Sequence, residues 1–218
     1  MIPLTTFEFF STQSLLCQPC NYLNMPDYVG PLTELDRRIR ETADGEAADA
    51  IMMGLGDVKN SWKKDRVARW VKEAMARMDE TLDDEAKEEI MVACGHNCAA
   101  HHGAPIRQAV KRREKHDRFD AFLDAMAAEP PRGMQVKRDD GAVIFGYTPQ
   151  TFGGGMRCYC SLVNGLPMDE TISETYCLCS KGFVEAYWGA VSGGRVDVEL
   201  LESAVSGSDV CRFRVSFV

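Results

Sequence analysis

A chain of 218 residues that is 45% apolar suits one medium domain with a full core, burying roughly 70% of its extended surface on folding. The formal charge of −8, from 33 acidic and 25 basic residues, argues against generic nucleic-acid binding, because a polyphosphate partner demands a positive footprint. No apolar run approaches the ~20 residues of a membrane helix, and the first twenty lack the features of a signal peptide, so the expectation is a cytoplasmic chain with no membrane partner.

Residues 1–30 show no sustained period and contain Cys17-x-x-Cys20, Pro19 and Pro26, which reads as an irregular arm. Cys17-x-x-Cys20 has redox or zinc spacing but no strand-helix context around it. From Gly30-Pro31, Leu32, Leu35 and Ile39 share a helical face that breaks at Asp44-Gly45. A second short helix fits Glu46 to Leu55, closed by Gly54 and Gly56. Val67, Trp70, Val71, Ala74, Met75 and Met78 give the cleanest helical stripe in the sequence. Thr81 with Asp84 resembles a capping box, opening a helix with Ala86, Ile90, Ala93 and Cys94 on one face. Another helix begins near Pro105; its basic run from Arg107 to Arg118, which includes His116, reads as a solvated face, since no aromatic interleaving accompanies it. Phe119, Phe122, Leu123 and Met126 form a further core stripe that ends at Pro130-Pro131.

Beyond it, Met134 to Lys137 and Ala142 to Tyr147 read as a hairpin turned by Asp140-Gly141. Phe152-Gly153-Gly154-Gly155 reads as a mobile loop, a lid with Phe152 over a ligand, and Arg157 to Val163 as a strand. Phe183, Val184, Tyr187, Trp188 and Val191 mark a helix capped by Ser180 and stopped by Gly193-Gly194. Val196, Val198 and Leu200, then Cys211, Phe213, Val215 and Phe217, alternate as the two strands of a final hairpin, with Cys211 facing the core. The expected fold class is α+β: a helical N-terminal half packed on an antiparallel sheet of four or five strands, ending in helix plus hairpin. Residues 31–130 form the helical part and 131–218 the α+β part, together one compact domain.

Nine cysteines are many for a reducing compartment, where such a set reads as metal-binding or reactive rather than as a disulfide framework. Cys94, Cys98 and His101 or His102 fall at i, i+4 and i+7 or i+8, so an unbroken helix places three zinc-type donors on one face. The alternative makes Gly95 a helix C-cap and leaves Cys98, His101 and His102 on a loop. Cys158-x-Cys160 on a strand shares one face, and Cys177-x-Cys179 sits ahead of a helix, where the dipole favours thiolates. Four such thiolates suit a zinc or iron-sulfur site; the bland reading packs them as core residues. Tyr187 and Trp188 serve either as ordinary core or as walls of a pocket for a partly apolar small molecule.

The segment from the helix through VELLES to CRFRVSF resembles the C-terminal part of the 4-vinyl-reductase-like, or hydrocarbon-binding, family and of L-2-amino-thiazoline-4-carboxylic acid hydrolase-like proteins, over about the last forty residues. The first resemblance implies a compact domain enclosing a small ligand, with a zinc held near the hairpin. Cys211 matches one cysteine of that pattern, the other falls near Ser203, and Glu199 or Glu202 stands for the carboxylate. The second implies hydrolysis of a cyclic amidine or other C–N bond, with Cys177 or Cys179 as nucleophile and His96, His101 or His102 as base.

Overall fold

The computed structural model describes residues 26–149 and 155–218. Cys17, Cys20, most of the irregular arm and the Phe152 end of the glycine loop lie outside the described residues. Six helices come first: α1 (Val29–Thr42), α2 (Gly45–Ile51), α3 (Lys64–Thr81), α4 (Asp84–His101), α5 (Ala104–Arg113) and α6 (Phe119–Ala128). Strands β1 (Met134–Asp139) and β2 (Ala142–Tyr147), helix α7 (Leu178–Ser192), and strands β3 (Val196–Glu202) and β4 (Cys211–Phe217) follow. The fold is α+β, with one antiparallel four-stranded sheet in the order β1-β2-β4-β3. Two hairpins are therefore joined along β2 and β4, whose register sets Phe145 opposite Phe213 and Tyr147 opposite Cys211.

The apolar stripes produce two cores rather than one layer of helices on a sheet. In the first, Leu32, Leu35 and Ile39 of α1 and Val67, Trp70, Val71, Ala74, Met75 and Met78 of α3 pack with Met156, Val163, Leu166 and Tyr176 from the long connection before α7. In the second, α5, α6 and α7 cover the sheet, and Phe122, Tyr187 and Trp188 meet Val143, Phe145 and Phe213. Trp188 is wholly buried, edge-on to Phe145 and Phe217. Among the described residues, no helix is long and apolar enough to cross a membrane.

Local chemistry sets the boundaries. Asp44 caps α2 through Ala47 N–H, and Gly54, just beyond it, takes a positive φ of 79°. That turn ends α2 at Ile51 and leaves a separate 3₁₀ turn at Leu55–Asp57, so the expected helix to Leu55 is shorter. Asp83, not Thr81, caps α4, by accepting from Ala86 N–H; the Thr81 hydroxyl instead donates back to the Arg77 carbonyl, finishing α3. At the first hairpin, Asp140 and Gly141 both take positive φ, as its two-residue turn requires.

Two expectations fail. Arg157 to Val163 is not a strand: the backbone bonds within its own loop, Cys158 N–H to Met156 carbonyl and Asn164 N–H to Cys160 carbonyl. Its apolar side chains turn into the first core instead of alternating, so local turns replace ladder bonds. Ser180 does not cap α7. A 3₁₀ turn over Glu174–Cys177 runs straight into the helix, which places Cys177 at the N-cap with no side-chain cap bond and Cys179 inside the first turn.

Candidate functional site: a thiol cluster at a glycine-tight helix crossing

Helix α4 runs unbroken through Gly95 to His101, so Gly95 is not a C-cap and Cys94 and Cys98 stand one turn apart. The buried stripe of α4 is Ile90, Met91, Gly95 and Ala99; Ala86, Ala93 and Cys94, expected there, are only half-buried. The stripe has small residues because α7 crosses it at backbone contact. A Cβ added at Gly95 would lie 2.0 Å from the Cys179 carbonyl oxygen and 2.9 Å from Gly182 Cα. One added at Gly182 would lie 2.1 Å from the Val92 carbonyl oxygen. The absence of both side chains lets the two backbones touch and draws the first turn of α7 against Cys94 and Cys98.

The connection before α7 delivers the other thiols. Cys158 and Cys160, like Cys94 and Cys179, pack half-buried against the first core. Tyr176 Oη donates to Cys160 Sγ at 3.0 Å, and Cys160 N–H donates to Cys158 Sγ at 3.4 Å. No disulfide joins any two of the seven described cysteines. Burial raises the Cys179 thiol well above its ordinary range, and the neighbouring sulfurs of Cys160, Cys158, Cys98 and Cys94 raise it further. Cys94 is pushed up to about 12, mainly by burial. Burial also raises Cys160, although the bond from Tyr176 works against it. Without a cation these are neutral thiols, and the helix dipole at Cys179 does not overcome desolvation.

A second thiol group lies between the cores. Ser203 Oγ, buried, donates to Cys177 Sγ at 2.7 Å. Cys211, with burial second, holds the Cys177 thiol high, and Cys177 in turn leads in lowering the Cys211 thiol, against desolvation. Cys211 faces the core as its strand alternation required. Ser203 carried no signal of this role and drew notice only as the position where a second cysteine would fall.

The remaining candidates are dispersed. His96 is exposed and bonded to Glu185 of α7 at 2.9 Å, while His101 and His102 are exposed at the end of α4. Tyr187 and Trp188 lie in the second core, their Oη and Nε1 buried without a hydrogen-bond partner among the described residues. The Cys158 and Cys160 side chains do not share a strand face, since they sit in irregular backbone ahead of a turn. Among the described residues, no group of three or more His, Cys, Asp or Glu side chains stands where it could hold a metal ion. At the hairpin, Ser203 is bonded to Cys177 and Glu202 to Arg212, so the zinc pattern implied there would have a hydroxyl for a thiolate and an engaged carboxylate. Those residues do not fit a hairpin zinc.

A family model described as a family of unknown function, DUF6144, matches residues 33–217, which spans both thiol groups and all four strands. Comparison with curated proteins gives no match.

Proposed function

We propose that this chain, which belongs to the DUF6144 family, is a binding domain whose α4–α7 crossing holds a thiophilic metal ion, zinc in the first instance. The observation that carries this reading is the crossing at Gly95 and Gly182, which gathers Cys94, Cys98 and Cys179 beside Cys158 and Cys160. Cys94, Cys98, Cys160 and Cys179 are the ligands in this reading, four thiols with the softness zinc accepts. Cys160 is preferred to Cys158 because Tyr176 Oη is already bonded to its sulfur, the kind of outer-shell donor that orients a ligand. Cys158 acts on both groups, raising Cys179 as well as Cys177.

Elemental analysis of chain purified without a metal-affinity step tests the proposal: one zinc per chain is expected, lost together with thiol protection on adding a chelator. A metal-free chain that fails to take up zinc would overturn it. The pH dependence follows from the raised thiols. Cys94 and Cys179 are protonated in the metal-free fold at neutral pH, so each must release its proton on binding. Zinc affinity therefore rises with pH, and proton release measured in weakly and strongly buffering solutions should confirm displacement. Without metal, the sign for stability is opposite. Cys94 titrates near 12 when folded and near 9.0 when unfolded, so its contribution is full below about 9 and is lost as pH climbs toward 12.

A second reading, small-molecule binding in the other core, is favoured by the unpartnered Tyr187 Oη and Trp188 Nε1, since buried donors are nearly always satisfied. A small polar group or water received there predicts that Tyr187→Phe destabilises the chain by about 1 kcal/mol. If nothing binds, removing the orphaned hydroxyl is neutral or stabilising. Denaturant titration of the two chains separates these outcomes. The hydrolase reading draws less from the geometry, because His96 engages Glu185 while Cys177 engages Ser203 and Cys211.

A further inference from the structure

The sheet has two edges, and they are not alike. β1 is tied to α6 by Arg138, which bonds to Asp120 at 2.9 Å and lies 3.4 Å from Asp124. β3 pairs with β4 alone, and among the described residues no backbone hydrogen bond leaves its other side. That side opens on a cleft of about 510 Å³, a size usual for ligand sites. Asp197, Val198, Glu199 and Leu200 all line it. Consecutive strand residues point to opposite faces, so a cleft touched by four in a row runs along the backbone edge rather than over one face. The opposite wall is Leu178 and Lys181 of α7, with Thr175 from the turn before it and Lys87 of α4. A seven-residue edge with unpaired N–H and C=O groups, facing a helix across a groove, is the geometry in which an extended peptide adds as a further strand.

We propose that the outer edge of β3 receives an extended basic segment of a partner protein, which continues the sheet as a fifth strand. Charge selects the occupant. The cleft is lined by five carboxylates and two lysines, and both lysines are already engaged, Lys87 with Asp84 at 2.7 Å and Lys181 with Glu88. Glu174, Asp197 and Glu199 are left without an ion-pair partner among the described residues. Asp197 and Glu199 are exposed on the face of β3 that turns away from the core, whereas Val198 is buried and Leu200 half-buried. A strand added beside β3 continues this pleat. Its alternate residues lie beside the two carboxylates, where lysine or arginine is favoured, and those between them lie toward Leu178 and Leu200, where aliphatic side chains are favoured. The segment recognised therefore alternates basic and apolar residues. A second copy of β3 would set carboxylates against carboxylates, and residues 1–25 of this chain contain no lysine or arginine, so neither supplies the charge the cleft selects.

The test titrates the full chain with a capped seven-residue peptide that alternates lysine and valine, read by calorimetry and by amide NMR shifts. The expected result is one peptide per chain, with shifts concentrated in Val196–Glu202 and at Leu178 and Lys181. In either strand orientation only alternate peptide amides face β3. N-methylation of that set should abolish binding, and methylation of the other set should leave it close to that of the parent peptide. Equal binding by both methylated peptides would overturn strand addition, and so would shifts that avoid β3. Asp197→Asn with Glu199→Gln should weaken binding roughly tenfold, through two lost cross-strand charge pairs. Glu46→Gln with Asp57→Asn, exposed acids outside the cleft, should leave it unchanged. Equal losses from the two double variants would reduce the attraction to net charge and reject the groove. All four positions are exposed, so these variants keep the fold.

Discussion

Gly95→Ala is expected to destabilise the protein by about 3 kcal/mol, the upper end of the cost of overpacking a closed site. Helix propensity alone predicts the opposite, because alanine is favoured over glycine inside a helix by roughly 1 kcal/mol. The steric effect wins because the obstacle is the Cys179 carbonyl, 2.0 Å from the new Cβ, and a backbone group cannot rotate away as a side-chain end can. Relief requires α7 to move off α4, and with it Cys179 leaves Cys94 and Cys98. Gly182→Ala should behave alike, against the Val92 carbonyl at 2.1 Å, and the double variant should cost less than the sum, since one separation of the helices relieves both clashes. Gly45→Ala, where nothing lies within 4 Å, is the control expected to stay near neutral. Guanidinium denaturation curves measure all four. A Gly95→Ala chain as stable as the parent would show that the helices do not meet at this distance.

Cys179→Ser is expected to abolish zinc retention through gel filtration and to weaken binding by more than the roughly 10–100-fold typical of losing an outer-shell partner. Cys179 is the thiol on which the neighbouring sulfurs act together, and it is the only ligand contributed by α7. Without it, Cys94 and Cys98 keep one partner from the connection and no closed set. Cys98→Ser should give a similar loss with less effect on the metal-free fold, because Cys98 is exposed. Cys158→Ser should keep the zinc, and Tyr176→Phe should weaken it within the outer-shell range, because only its hydroxyl reaches Cys160. Cobalt substitution supplies the readout: intense visible bands for tetrahedral thiolate ligation in the parent and Cys158→Ser, and their loss in Cys179→Ser. Equal metal retention by the Cys179→Ser chain would remove α7 from the site.

The helices and hairpins were legible because burial imposes a period. Val67 to Met78 on α3 and Cys211 to Phe217 on β4 repeat at 3.6 and 2 residues, and the structure buries the faces those periods mark. The stretch from Arg157 to Val163 misled for the same reason. Its apolar and sulfur-bearing residues are packed from a turn, and a turn has no period by which to distinguish it from a short strand. On α4 the stripe was read one position away from its true centre, since Gly95 and Ala99 carry little hydrophobic signal although both are buried and Gly95 meets the α7 backbone.

The sequence by itself determined most of the elements, the α+β class, the inward face of Cys211 and the short-range spacing of each cysteine pair, because these depend on neighbours along the chain. It left open whether Gly95 ends a helix, since a glycine is equally suited to a cap and to a close crossing. It also left open which thiols meet. Only the tertiary structure brought the first turn of α7 with Cys179 against α4 beside Cys94, and only it supplied Tyr176 as the partner of Cys160 and Ser203 as that of Cys177. Those associations join residues tens of positions apart, and they are fixed by strand register and by how closely two helices can approach, which no local pattern records.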